Sequence, residues 1–261
     1  MQRRFVASHR SSRPLRYLAR RCARFLDQFE NANDQVWEAN GELRVLQRLA
    51  HAEIRCVLDG GANVGAWARR AHDILPAATV HCFEIVPQIA AELRERVGDL
   101  KRIVVNDVGL YDGEGDVPLS YYPELSVLST VTAFPHDMAR REITGRTTTG
   151  DAYLAERGLR HVDFLKLDVE GAEPLALRGF GRAFAESRIN VVQFEYGQVS
   201  ILTKFLLRDF HRFFEERGFL VGKIYPAGVE FRSYEFAHED FRGANFLAVR
   251  RDRQDLIAAV R

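Results

Sequence analysis

Asp59-Gly60-Gly61-Ala62-Asn63-Val64-Gly65 follows the short apolar run Ile54 to Leu58. A run of this length, closed by an acid and a glycine pair, predicts a buried strand ending in a tight turn. A helix is predicted from about Gly65 to Ile74, and Pro76 punctuates its end. Gly has no Cβ, so Gly61 and Gly65 let such a loop pass close to a small molecule. The helix that the loop opens has an N-terminus that attracts a carboxylate or phosphate. The segment is thus a strand-turn-helix unit of the kind that builds an α/β sheet around a ligand.

The same rhythm continues outward. Thr79 to Phe83 reads as a second strand closed by Glu84, and Pro87 opens a helix to about Val97. Arg102 to Val105 is a third strand, followed by Asn106-Asp107. Val162 to Leu167 ends in Asp168, Pro174 to Ala185 is helical in pattern, and Asn190 to Phe194 ends in Glu195. A helix from about Thr203 to Glu216 precedes two closing strands, Phe219 to Ile224 and Asn245 to Val249. Alternating strand and helix signals predict an α/β domain with a mostly parallel sheet, and the closing pair suggests an antiparallel edge. Residues 51–261 form this domain, preceded by a basic helical extension over residues 1–50. Residues 111 to 160 interrupt the order with a turn at Asp112 to Gly115, a strand at Val117 to Tyr121 and a mixed polar stretch from Ser126 to Thr149. Long insertions beside strand ends often carry substrate contacts.

In open parallel sheets, ligands bind at the carboxyl ends of the strands near the topological switch point. Four predicted strands end in acids: Asp59, Glu84, Asp168 and Glu195. Two cofactor classes use a glycine turn here. A dinucleotide needs Gly at the third place of G-x-G-x-x-G. Counted from Gly60, that fingerprint meets Ala62 and fails. Asp59 instead suits the ammonium of a methionine moiety. Glu84, 25 residues on, suits the two hydroxyls of a ribose, although NAD sites use an acid at much the same place. Asn106 and Asp107 fall where an adenine amino group would sit, and they are equally good turn residues.

These residues resemble the FkbM-type methyltransferases. Asp59 to Gly65 followed by Phe83-Glu84-Ile85-Val86-Pro87 is similar to the family's D-x-G-A-N-x-G and F-E-P-x-P. Lys166-Leu167-Asp168-Val169-Glu170-Gly171-Ala172-Glu173 is similar to its K-x-D-x-E-G-x-E, and Phe194-Glu195-Tyr196 to its third motif. The resemblance covers about residues 54 to 250 and departs at Ile85, where the family often has Pro. It implies a Rossmann-like class I methyltransferase with a seven-stranded sheet of order 3-2-1-4-5-7-6, and S-adenosylmethionine as cofactor. It also implies methylation of a hydroxyl oxygen on a sugar, glycolipid or natural product. The implied cofactor residues are Asp59, Gly60, Gly61, Asn63, Gly65, Glu84, Asn106, Asp107 and Asp168.

A hydroxyl is a weak nucleophile until a base takes its proton. Asp168 is the first candidate base, with Glu195 and Glu170 beside it. Its competing reading is a carboxylate that caps the helix starting near Ala172, an alternative that Glu170 shares and that is preferred for Glu173. Asp168, Glu170 and Glu195 also suit a hard cation such as Mg²⁺, which prefers oxygen ligands; no resident metal is assigned. His136, in the insertion with Tyr122, Ser126 and Ser129, is a further candidate base. His81 alternates inside a strand and reads as structural. Tyr121, Tyr122, Phe134 and Tyr196 are candidates to stack on an acceptor, or simply to cover the sheet.

The chain's 261 residues, 46% hydrophobic and 28% charged, suffice for one well-packed domain. A net charge of +1 gives no global field for nucleic acid. Eight arginines, from Arg3 to Arg24, precede the first acid, Asp27. Leu15, Leu18, Cys22, Phe25, Leu26 and Phe29 recur at helical spacing, which predicts an amphipathic helix packed on the domain or a partner, with peripheral membrane contact as the alternative. The segment has no apolar run long enough for a membrane span. It is also open to homo-oligomer contact. Cys22, Cys56 and Cys82 contain no CxxC pair, so zinc clusters and disulfide frameworks are not expected and the chain reads as cytoplasmic. The 33 Arg against 4 Lys suggest a GC-rich bacterial genome, by association only. Two rival functions stay open: a nicotinamide-dependent oxidoreductase on the same sheet, and a non-catalytic binding module. Against the first, Tyr153 is followed four residues later by Arg157 rather than the Lys of a Tyr-x-x-x-Lys pair.

Overall fold

The computed structural model describes residues 2–32, 36–122, 139–243 and 245–261. Strands β1 (Cys56–Gly60), β2 (Thr79–Phe83) and β3 (Ile103–Asn106) pair in parallel. The chain then leaves this sheet for a smaller one made of β4 (Gly109–Tyr111), β5 (Gly115–Tyr121) and β6 (Arg141–Thr149), in the order β4-β6-β5. It returns with β7 (Val162–Leu167), which pairs in parallel with the other side of β1, and β8 (Ile189–Glu195), parallel to β7. The sheet closes with β9 (Phe219–Tyr225), β10 (Gly228–Phe231) and β11 (Asn245–Arg250).

The main sheet has eight strands in the order β10-β9-β11-β8-β7-β1-β2-β3. Without β10 this is the expected seven-strand order. The expected antiparallel edge is present as β10 on β9, and β11 lies inside the sheet between β8 and β9, antiparallel to both. β10 forms the added edge by folding back on β9. The sequence reading saw no strand at β10, because four residues are too few for alternation to register.

The central strands are buried on both faces, as parallel strands covered by helices must be. On one face Val57, Phe164 and Val191 share a core with Leu46, Leu49, Trp67 and Ala68. On the other, Leu58, Leu165 and Val192 share a core with Leu154, Leu177, Phe180 and Phe214.

The N-terminal 50 residues behave in two ways. α1 (Gln2–Ser8) and α2 (Arg13–Phe29) stand apart, and α2 has no buried residue. The predicted helix exists, but it does not pack on the domain. Past α3 (Trp37–Asn40), α4 (Glu42–Leu49) buries Leu43, Val45, Leu46 and Leu49 in the first core. α5 (Ala66–Ile74) and α6 (Pro87–Val97) follow their strands as predicted, with Pro87 in the first turn. α7 (Gly150–Glu156) follows the small sheet. The stretch predicted as one helix from Pro174 to Ala185 is split into α8 (Glu173–Gly179) and α9 (Gly181–Ala185). That predicted from Thr203 to Glu216 is α11 (Leu207–Glu215), which starts later than expected because left-handed Lys204 (φ 59°) ends a short preceding helix, α10 (Val199–Thr203). α12 (Gln254–Val260) ends the chain and packs beside α4. No helix among the described residues is long and apolar enough to cross a membrane.

Strand β6 was read only as mixed polar sequence. Its polarity follows from its place in a small sheet, where Arg141, Glu142, Ile143 and Thr144 stay at least partly accessible. Ile85 joins this sheet to the domain. Its side chain lies against Gly109 and Gly145, where an added Cβ would come within 2.7 and 2.6 Å of it. It shares a small apolar cluster with Val86, Ile89, Leu119 and Ile143. The residue that departs from the family pattern is therefore the plug that seats the insertion beside Glu84.

Candidate active site

The topological switch point lies between the parallel strands β1 and β7, since the chain adds β2 on one side of the pair and β8 on the other. The turn after β1 is held tightly there. Gly61 (φ 81°) faces the carbonyl of Asp168, which an added Cβ would meet at 1.9 Å. Gly65 (φ 83°) begins α5, and a Cβ there would meet Leu93 of α6 at 2.5 Å. Both glycines were read as leaving room for a ligand. The structure shows a stricter reason: the protein's own strand end and helix occupy the space a side chain would need. The backbone N–H groups of Gly61 and Ala62 both donate to the Phe83 carbonyl, at 3.0 and 2.9 Å. The first turn of α5, which starts after Gly65, has no side-chain cap.

Glu84 ties this turn to the next strand. One carboxylate oxygen accepts from the Asn63 N–H and the other from the Val86 N–H, each at 2.9 Å. Burial pushes its pKa up to about 7, against the pull of those two N–H groups. Each oxygen keeps a second lone pair, so the carboxylate can still accept hydroxyls.

Asp59 is fully buried, and neither of its carboxylate oxygens is hydrogen-bonded. Its nearest cation is Lys166 Nζ, 3.6 Å away. Burial raises its pKa to about 6, with Lys166 opposing. Its carboxylate faces into the protein, toward Lys166. Lys166 pairs more closely with Asp168, at 2.9 Å. Burial pulls the Lys166 ammonium down, but Asp168, Asp59 and Glu42 outweigh burial and hold it above its ordinary value. Its ammonium also lies 5.5 Å from the Trp67 ring centroid.

The sequence reading missed the rest of this polar layer. Glu42 accepts from Gln193 Nε2 at 2.6 Å and from Asn40 Nδ2 at 2.7 Å. Gln193 faces Lys166 across the β7–β8 pair, just as Lys166 faces Asp59 across β1–β7. The available signal was a polar residue at the same level of three adjacent apolar strands.

Asp168, Glu170 and Glu195 converge at the open edge, with carboxylate oxygens all within 4.8 Å of one another. Burial, then the charge of Asp168, raises the pKa of Glu170 to about 8 and that of Glu195 well above its ordinary value. Glu170 is held in a left-handed conformation (φ 51°) by the turn before α8. Glu173 fixes that turn by accepting from the N–H groups of Val169 and Gly171, at 2.9 and 3.0 Å. Glu173, preferred from the sequence for the start of this helix, thus holds the turn before it, while no side-chain hydrogen bond caps α8 itself.

The remaining candidates are dispersed. Asn106 is buried and donates to the Cys82 carbonyl at 2.9 Å, while Asp107 is exposed and pairs with Arg146 at 3.2 Å. His81 is buried with Nδ1 2.8 Å from the Tyr153 hydroxyl, which accounts for both residues structurally. Tyr196 is buried and donates to Glu239 at 2.9 Å. His136, Ser126, Ser129 and Phe134 lie outside the described residues.

A sheet of this order, with a glycine turn after its first strand and acids closing four parallel strands, has the class I methyltransferase architecture. The chain belongs to the methyltransferase FkbM domain family, whose pattern matches residues 59–221. It is 27% identical over 147 residues to the 2-O-methyltransferase NoeI of Sinorhizobium fredii, covering 51% of this chain and 60% of that protein. It is 29% identical over 154 residues to the 31-O-demethyl-FK506 methyltransferase FkbM of Streptomyces tacrolimicus, covering 47% of this chain and 58% of that protein. The chain thus matches about three fifths of the length of these curated relatives. Among solved structures, methyltransferase FkbM from Methylobacillus flagellatus aligns with a TM-score of 0.48 at 16% identity, over 76% of this chain and 44% of that one.

Proposed function

We propose that this chain is an S-adenosylmethionine-dependent O-methyltransferase that acts on a hydroxyl of a sugar, a lipid-linked molecule or another small molecule. The observation that carries the reading is the convergence of Asp168, Glu170 and Glu195 at the switch point, where the Asp168 carbonyl lies against Gly61 of the glycine turn. When bound, the cofactor supplies a sulfonium-activated methyl group. Glu84 accepts its ribose hydroxyls. The uncapped start of α5 receives its carboxylate. Asn106 fixes the turn that carries Asp107 on the adenine side. Asp59 acts indirectly, by holding Lys166 and through it Asp168.

Asp168 is the base that takes the hydroxyl proton. Its carboxylate is held at the open edge by Lys166, 2.9 Å away. Glu170 and Glu195, with raised pKa values, donate to or orient the acceptor. The enzyme's share of catalysis is chiefly to align the acceptor oxygen and take its proton. This scheme calls on no metal ion, and activity unchanged in excess chelator is the expected result.

Calorimetry with S-adenosylhomocysteine and with NAD tests the cofactor. Binding of the former and not the latter is expected. Tight NAD binding with no S-adenosylhomocysteine binding overturns the assignment in favour of the oxidoreductase. Mass spectrometry of an extract incubated with labelled cofactor then identifies the acceptor. Cofactor binding without label transfer to any acceptor would favour the non-catalytic binding module.

A further inference from the structure

Helix α2 is amphipathic along its whole length. At 3.6 residues per turn, Leu15, Leu18, Cys22, Phe25, Leu26 and Phe29 share one face, and Arg13, Arg16, Arg20, Arg21 and Arg24 occupy the opposite side. Most of the apolar face is open: Leu18, Phe25, Leu26 and Phe29 are 57%, 63%, 42% and 66% exposed, and Leu15 is half-buried. None of the five arginines forms an ion pair among the described residues, and Asp27 is the one acid in the helix. Phe5 and Val6 of α1 extend the exposed apolar surface.

The helix is rooted at its C-terminal end. Asn31 ends it in a left-handed conformation (φ 53°), with the Ala32 N–H donating to the Asp27 carbonyl at 2.8 Å. Asn31 Nδ2 then donates to the Ile224 carbonyl at 3.1 Å, and Glu30 accepts from the Tyr225 hydroxyl at 3.1 Å. Asn245 of β11 pairs with Glu195, and Phe246 with Lys223, so the end of β9 and the end of β8 lie on one edge of the sheet. The helix therefore leaves the domain from the edge that carries the acids.

We propose that α2 docks on an anionic bilayer surface, lying in the interface with its apolar face in the lipid. Its composition fits that setting: Phe and Leu on one face, arginine on the other, and too many charges to span. A second copy of the chain suits the helix less well. Pairing through this face covers both apolar stripes but leaves both sets of arginines without counter-charge. A surface of anionic lipid covers the stripe and supplies the counter-charge together. This docking does not depend on the methyl-transfer reading, but it sets the acid-bearing edge beside the membrane.

The test is co-sedimentation of the full chain with vesicles containing phosphatidylglycerol and with vesicles of phosphatidylcholine alone. Binding to the first, weakened by salt, is expected. An R16E/R20E/R24E variant is expected to bind about a hundredfold more weakly. An L18S/F25S/F29S variant is expected to lose binding while the unfolding transition of the domain stays unchanged, since none of these side chains packs on it. Equal binding to both vesicle types overturns the anionic-surface assignment. So does a chain that ignores both and sediments as a dimer that the L18S/F25S/F29S variant converts to monomer.

Discussion

Lys166 Nζ sits between two carboxylates, 2.9 Å from Asp168 Oδ2 at the open edge and 3.6 Å from Asp59 Oδ1 inside the protein. One buried cation thus joins the motif after β1 to the motif after β7. Removing it leaves Asp59 as an uncompensated buried charge. Lys166→Met is therefore expected to cost about 3–5 kcal/mol in urea unfolding. A Lys166→Met/Asp59→Asn double variant is expected to recover part of that loss. A single variant within about 1 kcal/mol of the parent would show that the pair holds nothing in place.

Asp168→Asn keeps the shape of the side chain and removes the base. Binding of S-adenosylhomocysteine is expected to persist, while kcat falls by about 10²–10⁴-fold. Initial rates at saturating cofactor measure this. Full activity would place the base elsewhere, with Glu195 the next residue to replace.

Gly61 and Gly218 share a backbone conformation, at φ 81° and φ 80°, but not surroundings. A Cβ at Gly61 meets the Asp168 carbonyl at 1.9 Å, whereas one at Gly218 meets nothing within 4 Å. Gly218→Ala is expected to cost only the left-handed penalty of about 1–2 kcal/mol. Gly61→Ala is expected to cost clearly more, and to weaken cofactor binding because the turn must move. Thermal unfolding of the two variants side by side decides the matter.

Glu84 makes stability depend on pH in a stated direction. Its pKa is raised from 4.5 to about 7, so the folded protein holds a proton there that the unfolded chain has released. Stability from this group is present below pH ~4.5 and is lost as pH rises toward ~7, by on the order of 3 kcal/mol. Glu84→Gln loses this dependence, so the stability difference between parent and variant should drift across that window and be flat above it. If ionised Glu84 holds a ribose, S-adenosylhomocysteine affinity should rise over the same range in the parent and not in the variant.

The predicted strands and their order along the chain were legible because apolar runs closed by acids repeat wherever a parallel strand is buried on both faces. The glycine turn was legible for a similar reason: few residues besides Gly adopt φ near 80°, so its need shows in the sequence. The short edge strand β10 and the polar strand β6 were not. Four residues give no period, and a strand of a small, partly accessible sheet has no apolar signature. The amphipathic face of α2 was equally plain in the spacing of Leu18, Phe25 and Phe29. Whether the domain covered that face was not, since a helix that packs and one that stays exposed can share one pattern.

The candidate site divides along the same line. The acids were named from the sequence because each closes a strand, and chain order assigns them to one edge. Their roles depend on contacts between residues far apart in the chain, which spacing does not encode. Tertiary structure turned Asp59 inward onto Lys166 and left Asp168 accessible beside its cation. It also brought Glu42 and Gln193 into the polar layer and seated Ile85 between Gly109 and Gly145. Local periodicity by itself determined the strands, the turn and the family motifs, because those signals come from a residue and its near neighbours. Burial decided the rest, because the charge a side chain carries and the partner it meets are set only when distant strands close around it.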